Sequence, residues 1–163
     1  MQHAPRDEQV LPAAEVANLV DLLKSVFAEG TGRVSRALGF HHPAAGKTGT
    51  TNDFRDSWFA GFTPRILALS WVGFDRDDEI VVKHRKLLRL TGASGALPIW
   101  TRFMRLVHGG VPEADFPFPS DLLRKLKVDL VTGRRADESC MGPSVVDEVF
   151  TFRNAPHLTC GRY

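Results

Sequence analysis

The architecture of this chain follows from residues 44–74, which read AAGKTGTTNDFRDSWFAGFTPRILALSWVGF. Small and β-branched residues from Ala44 to Thr51 favour a strand that another group approaches closely. Two apolar, aromatic-rich runs follow at 57–63 and 66–74, and the Thr63-Pro64-Arg65 segment between them is typical of a tight turn. We therefore predict three consecutive strands, of which the last two form an antiparallel hairpin.

Amphipathic helices are predicted on both sides of these strands. Apolar residues recur at helical spacing from Val16 to Phe27, Gly30 ends the pattern, and residues 33–38 add one or two further turns. A second helical pattern runs from Ala96 to Val107, with Pro98 in the first turn, where proline is tolerated. The predicted fold class is α/β in the broad sense (α+β), with an antiparallel sheet of about three strands between helices.

The remaining segments divide the chain further. Residues 80–90 alternate apolar and basic side chains in a way that fits a strand or a short exposed helix, and the pattern does not choose between them. A cluster of prolines indicates a linker at 111–119. We predict one domain at 1–110 and a small irregular tail at 120–163, with one hairpin at Thr132-Gly133.

Composition places the chain among ordinary globular proteins. It has 163 residues, of which 43% are hydrophobic and 25% are charged. The 21 basic and 19 acidic residues leave a formal net charge of +2, a weak field that gives no reason to expect nucleic acid as a partner. No apolar run reaches the ~20 residues needed to span a bilayer, and residues 1–12 lack the apolar core of a secretory signal. We expect no membrane segment and no export signal in this chain.

The cysteines and histidines give no sign of a metal site. Cys140 and Cys160 allow one disulfide or two free thiols, and the sequence leaves both open. A disulfide closing such a loop is worth about 3 kcal/mol in the chain-entropy model. Neither cysteine lies in a C-x-x-C pair and the histidines are scattered, so the ligand spacing of zinc is absent. We predict no metal and no cofactor.

The segment Gly46 to Thr51 carries the chemistry, because it concentrates an ammonium group, three hydroxyls and two glycines in six residues. On a strand, Lys47 and Gly49 share one face while Thr48 and Thr50 share the other, so both threonines can donate to one carboxylate. Gly49 has no side chain, so a ligand can lie along the strand edge and pair with the main chain.

The same six residues also fit two other kinds of structure. The segment is compatible with a glycine-rich turn that exposes a lysine. A phosphate-binding P-loop is suggested by Gly46-Lys47-Thr48, which matches the end of G-x-x-x-x-G-K-[ST]. The first glycine of that motif is replaced by His41, and the segment leads into a strand rather than a helix, so the P-loop interpretation is the weaker one.

The tetrapeptide does not stand alone, since four further blocks accompany it in a fixed order. The five blocks are Gly30-Thr31-Gly32, Ala45 to Asp53, Asp56 to Pro64, Trp71 to Asp75 and Thr91 to Trp100. Over roughly residues 14–110 the chain resembles the class A (bifunctional) penicillin-binding proteins, in the C-terminal part of their transpeptidase domain with its K-T-G-T motif. The resemblance implies a partial penicillin-binding protein/β-lactamase-like fold, and the tail resembles the stretch that follows this domain.

The resemblance implies D,D-transpeptidation of peptidoglycan stem peptides through a serine acyl-enzyme, which β-lactams inhibit, in the membrane-anchored enzymes of the cell envelope. Lys47 would supply positive charge to the terminal carboxylate of the substrate and to proton transfer. Thr48, Gly49 and Thr50 would bind that substrate, and the Thr50 backbone N–H would be one donor of the oxyanion hole.

The nucleophile that this chemistry needs is absent from the chain. None of the serines begins Ser-x-x-Lys or Ser-x-Asn; they stand at 25, 35, 57, 70, 94, 120, 139 and 144. The resemblance places both elements upstream, together with strands that complete the sheet, so we expect an exposed sheet face, an unpaired strand edge and poor solubility. We predict that this chain alone is inactive, and the alternative is a non-catalytic binding remnant or pseudoenzyme.

Three further sets of residues receive structural interpretations. A solvated turn with local ion pairs is predicted at Asp53, Arg55 and Asp56, and the alternative is that these residues order the rim of the site. Large apolar area predicts core positions for the tryptophans, which are Trp58, Trp71 and Trp100. A solvated basic face is predicted at Lys83-His84-Arg85-Lys86 with Arg89, and contact with anionic glycan or lipid headgroups is the alternative.

Overall fold

The structure is a computed structural model that describes residues 8–76, 78, 80–83, 87–140 and 142–161. The helices are α1 (Ala13–Ala28), α2 (Val34–Ala37) and α3 (Leu97–Val107), with a 3-10 turn at Thr31–Arg33 and a π-helical turn at Gly92–Ala96. The strands are β1 (Ala45–Thr50), β2 (Asp56–Phe62), β3 (Leu67–Gly73), β4 (Val81–Lys83), β5 (Leu87–Arg89), β6 (Leu123–Asp129), β7 (Arg134–Arg135) and β8 (Val145–Thr151). The chain divides into two compact units, one of residues 20–116 and one of the terminal segments up to 19 and from 117.

The first unit is built on an antiparallel sheet of three strands in the order β1-β2-β3. Thr48 lies opposite Phe59, and Phe59 lies opposite Ser70, so these three residues share one face of the sheet. The three strands, the hairpin and both flanking helices confirm the predicted arrangement.

One face of this sheet carries an aromatic core. Phe59 and Trp100 are almost completely buried, with ring centroids 5.0 Å apart, and Phe27 at the end of α1 packs against both. The Trp100 indole N–H lies 3.2 Å from the Gly61 carbonyl oxygen and 3.1 Å from that of Ala68. Burial of these rings contributes to the apolar stabilisation of the unit, and the indole donor is satisfied by the strands it covers.

The opposite face of the same sheet is open to solvent. Leu67 is 75% exposed, Leu69 60%, Trp71 43% and Trp58 37%. The prediction that Trp58 and Trp71 are core residues is therefore wrong, whereas Trp100 is core as predicted. Alternate residues of a strand point to opposite faces, and only one face of this sheet is covered by α1 and α3. The exposed apolar face agrees with the expectation drawn from the family resemblance.

Residues 80–90 contain two short strands, so the strand alternative holds and the helix alternative is wrong. Strands β4 and β5 pair antiparallel, with Val81 opposite Arg89 and Lys83 opposite Leu87. The solvated basic face predicted nearby includes residues 84–86, which lie outside the described residues.

The tail is more regular than predicted. Its three strands form a second antiparallel sheet in the order β7-β6-β8, with Leu123 of β6 opposite Thr151 of β8. The predicted hairpin at Thr132-Gly133 is confirmed between β6 and β7, and Gly133 takes the left-handed conformation (φ 67°) that favours glycine. Few apolar residues of the tail are buried among those described, namely Leu123, Val128 and Ala155, so apolar content alone does not indicate this sheet.

A disulfide joins Cys140 and Cys160 in the tail, which settles the alternative that the sequence left open. Beside it, the Asp137 carboxylate accepts hydrogen bonds from the hydroxyl and the backbone N–H of Ser139. These donors lower the pKa of Asp137 from 3.8 to about 2, because they stabilise its charged form.

Candidate functional site

The edge of β1 that faces away from β2 has no strand partner among the described residues. The Thr51 N–H donates to the Asp56 carbonyl oxygen at 3.1 Å, and antiparallel pairing alternates along the strand. Lys47 and Gly49 therefore turn their backbone groups towards β2, whereas Thr48 and Thr50 turn their N–H and C=O groups to the open edge. The open edge is the geometry that an added extended peptide requires.

The hydroxyls of the two threonines are each held by a different segment. Thr48 Oγ1 lies 3.1 Å from Thr31 Oγ1 in the 3-10 turn after α1. The Gly92 N–H donates to Thr50 Oγ1 at 2.9 Å. A hydroxyl has one hydrogen and two lone pairs, so Thr50 accepts this bond and keeps its hydrogen for another acceptor.

Gly92 can approach β1 only because it has no side chain. A Cβ atom there would lie 2.5 Å from the Trp58 carbonyl oxygen, 2.7 Å from that of Gly49 and 2.9 Å from Thr48 Cβ. Two of these three neighbours are backbone atoms of paired strands and cannot easily move. The glycine therefore allows the π-helical turn to lie directly on the sheet beside Thr48 and Thr50.

The turn that presents Gly92 is fastened to β2 by Ser57. This fully buried hydroxyl donates to the Thr91 carbonyl oxygen at 2.7 Å and accepts from the Ala96 N–H at 2.9 Å. Within the turn, the side chains of Thr91 and Ser94 each bond the other's backbone N–H as a capping box. Sequence analysis missed these supporting residues, although the Thr-x-x-Ser spacing at the start of a helix was a visible signal.

Lys47 brings a positive charge to the same strand. Its side chain is exposed, and Nζ donates to the Thr48 carbonyl oxygen at 3.0 Å, which leaves two N–H donors. Within the described ranges, no carboxylate lies in ion-pair distance of Nζ. The ammonium group is therefore available to an anion at the open edge.

The loop between β1 and β2 forms one end of this region. Asp53 and Arg55 make an exposed ion pair at 3.7 Å, as expected for a solvated turn. Asp56 differs from that prediction, because its carboxylate accepts from the Trp71 indole N–H at 2.8 Å and from the Thr51 hydroxyl at 3.3 Å. Asp56 thus ties all three strands together where β2 begins.

Two competing interpretations of residues 46–51 are excluded by this geometry. The segment is a strand rather than a glycine-rich turn, and it is followed by a three-residue 3-10 turn at Asn52–Phe54 rather than by the helix that a P-loop opens. Over the part of the chain that the structure describes, no three histidine, cysteine, aspartate or glutamate residues gather as a metal site needs. No helix in that part is both long and apolar enough to cross a membrane.

Comparison with known proteins identifies the family. No family model matches, but penicillin-binding protein 1A of Aquifex aeolicus is 40% identical over 161 residues, which are 98% of this chain and 20% of the relative. The protein of the same name from Pseudomonas aeruginosa is 34% identical over 91% of this chain and 17% of its own length. The crystal structure of penicillin-binding protein 1A from Haemophilus influenzae superposes with a TM-score of 0.66 at 25% identity, over 86% of this chain and 20% of that one.

The chain thus spans about a fifth of the length of the curated relatives it matches. Sequence and structure agree with the resemblance that the ordered blocks indicated, including the strand that carries Lys-Thr-Gly-Thr. The chain belongs to the class A penicillin-binding proteins and corresponds to part of one.

Proposed function

We propose that this chain supplies the carboxylate-binding strand of a peptidoglycan D,D-transpeptidase. One observation carries the proposal: the Lys47 ammonium group, the Thr48 and Thr50 hydroxyls and the backbone N–H groups of Thr48 and Thr50 all lie along the open edge of β1. An extended peptide with a terminal carboxylate matches that edge in shape, hydrogen bonding and charge.

Each residue of the strand takes a separate role in this proposal. Lys47 attracts the terminal carboxylate and takes part in proton transfer, while Thr48 and Thr50 donate hydroxyl hydrogens to the carboxylate. Gly49 leaves room for the peptide backbone. The Thr50 N–H points to the open edge, where it serves as one donor of an oxyanion hole.

Acyl transfer also needs an activated serine, which comes from another part of the complete protein. Ser57 is the serine nearest to the strand in sequence, but it is fully buried and bonded to Thr91 and Ala96. The sequence contains no Ser-x-x-Lys, the motif in which the nucleophile of this chemistry stands. This chain therefore binds substrate and does not acylate by itself.

The partners follow from the same chemistry. They are the stem peptides of peptidoglycan and the β-lactams that mimic their terminus, which places the complete protein at the cell envelope. We assign residues 1–110 to the transpeptidase part, 111–119 to a linker and 120–163 to a separate small tail.

Peptide binding tests the role of the strand directly. Two short peptides are added to isotope-labelled chain, one ending in D-Ala-D-Ala with a free carboxylate and one with the same terminus amidated. We expect amide resonances of residues 47–51 to shift with the free acid and to shift far less with the amide. The double variant Thr48→Val/Thr50→Val should reduce the difference, since valine keeps the shape and removes two donors while Lys47 remains. Equal shifts with both peptides would contradict the proposal.

Acylation is tested separately with a fluorescent penicillin followed by denaturing electrophoresis. We expect no covalently labelled band from this chain alone. A labelled band would show that the chain contains a nucleophile of its own. Addition of the upstream half of a class A enzyme then distinguishes two roles. Labelling that requires Lys47 supports a transpeptidase, whereas peptide binding without labelling supports a purely binding role for the same strand.

A further inference from the structure

We infer that Thr31 is a positioning residue that aims the Thr48 hydroxyl at the substrate carboxylate. The inference rests on the proposed function and adds to it a residue outside the Lys-Thr-Gly-Thr strand. Thr31 stands in the Gly30-Thr31-Gly32 block, to which the proposed chemistry gives no role.

The contact between the two threonines joins separate parts of the fold. Thr31 Oγ1 lies 3.1 Å from Thr48 Oγ1, and the residues are 17 positions apart in sequence. Thr31 is exposed and Thr48 is half-buried, so the pair sits at the surface beside the open edge of β1. The bond is therefore accessible to a ligand that approaches this edge.

Counting hydrogens shows what the pair can do. Two hydroxyls that share one hydrogen bond use one hydrogen and leave one. When Thr31 is the donor, the Thr48 oxygen is held by an acceptor bond and its own hydrogen points to a further acceptor. The Thr50 hydroxyl is in the same state, because it accepts from the Gly92 N–H and keeps its own hydrogen. Both threonines can then donate a hydrogen to one anion.

The two glycines explain why the turn reaches β1. A Cβ atom at Gly30 would lie 2.9 Å from Val26 Cα, and one at Gly32 would lie 2.9 Å from the Val26 carbonyl oxygen. The turn therefore folds tightly back against the last turn of α1, which only residues without side chains permit. This close packing fixes where Thr31 stands and brings its hydroxyl to Thr48.

The orientation of Thr48 in the ligand-free chain is the first measurement. Three-bond couplings to Thr48 Cγ2 report its χ1 angle, which takes one of three staggered values. In the wild-type chain and in Thr31→Ser we expect a single value. In Thr31→Val, which removes the hydroxyl and keeps the shape, we expect averaging between rotamers. Unchanged couplings in Thr31→Val would overturn the inference whether or not any peptide binds.

Binding of the D-Ala-D-Ala peptide with its free carboxylate is the second measurement. We expect Thr31→Val to weaken binding by about fivefold, the value of one hydrogen bond of about 1 kcal/mol. Thr31→Ser should stay within about twofold of wild type, because it restores the donor. The control is Ser25→Ala, which removes a hydroxyl that donates to the Leu22 carbonyl oxygen within α1 and should not affect binding.

The outcomes separate this inference from the proposed function. If the wild-type chain binds neither peptide, the proposed function fails, and the couplings still decide whether Thr31 orients Thr48. If the wild-type chain binds and Thr31→Ser loses as much affinity as Thr31→Val, the inference is wrong and Thr31 acts only through packing.

Discussion

The two three-stranded sheets of this protein hold together by different means. The sheet of β1, β2 and β3 is covered on one face by fully buried aromatic side chains, among them Phe59 of β2 and Trp100 of α3. The sheet of β6, β7 and β8 lies in a unit with few buried apolar residues and one disulfide. Two sheets with the same number of strands can therefore depend on core burial in one case and on cross-linking in the other.

The difference also shows in what each sheet exposes. The first sheet has one buried face and one open face, as the exposed Leu67 shows. The second has exposed Leu130 and Val131 at its hairpin tip, and its buried set includes the polar residues Asp129 and Thr151. A core built on one aromatic face should fail when one ring is removed, whereas a cross-linked sheet should fail when the cross-link is removed.

The largest effect is expected for Trp100→Ala. Removing this buried ring should lower the free energy of unfolding of the first sheet by about 3–5 kcal/mol, since it leaves a large cavity. Native-state hydrogen exchange of amides in β2 measures the loss, and amides of β6 serve as an internal reference. Leu67→Ala on the open face is the matched control, with an expected loss under about 1 kcal/mol. Similar losses for both variants would refute the one-faced core.

Loss of the disulfide should affect the other sheet. The Cys140→Ala/Cys160→Ala variant opens a loop with a sequence separation of 20 residues, and we expect the tail unit to lose about 3 kcal/mol. Hydrogen exchange in β6 and β8 should accelerate while exchange in β2 stays unchanged. Equal acceleration in both sheets would show that the two units unfold together.

A smaller effect is expected for Ser57→Ala, which deletes the hydroxyl between β2 and the π-helical turn. The buried Ala96 N–H and Thr91 carbonyl oxygen lose their partner, so the first unit should lose about 1–3 kcal/mol. Thermal unfolding measures the loss, and Ser94→Ala, at an exposed cap position of the same turn, should lose less. The Gly92 and Thr50 resonances should shift in Ser57→Ala, and unchanged resonances would mean that the turn is held by other contacts.

The smallest effect is expected when the pH is lowered, and it concerns the stability of the tail unit. The Ser139 hydroxyl holds the pKa of Asp137 at about 2 in the folded chain, below its ordinary 3.8. A lowered pKa gives stability that is present above about pH 4 and is lost as the pH falls towards 2. The tail unit should therefore lose stability over this range, and Asp137→Asn should reduce that pH dependence. A variant with the same acid profile as wild type would exclude Asp137 as its cause.

The sequence predicts the strands of the first sheet well, because their apolar runs are long and are separated by clear turn residues. It also predicts that Lys47, Thr48, Gly49 and Thr50 act as a group, because the spacing of residues along a strand is fixed. Whether Trp58 faces solvent is not predictable, because alternation separates the two faces of a strand without telling which face is covered.

The supporting contacts of the site are also hidden from the sequence. Thr31 and Gly92 stand 17 and 42 positions from the threonines that they hold, and only the folded chain brings them together. The sheet in the tail was not predicted, for a different reason. The tail contains a disulfide between Cys140 and Cys160, and two cysteines in a sequence do not say whether they are joined.

The open edge of β1 has a consequence for handling the protein. An open row of backbone donors and acceptors does not distinguish an extended peptide from a strand of a second copy, so the two should compete for one place. By mass action, a peptide that occupies the edge should shift the equilibrium away from edge-to-edge pairing of two copies. A saturating ligand is therefore a rational additive for keeping samples of this protein in solution.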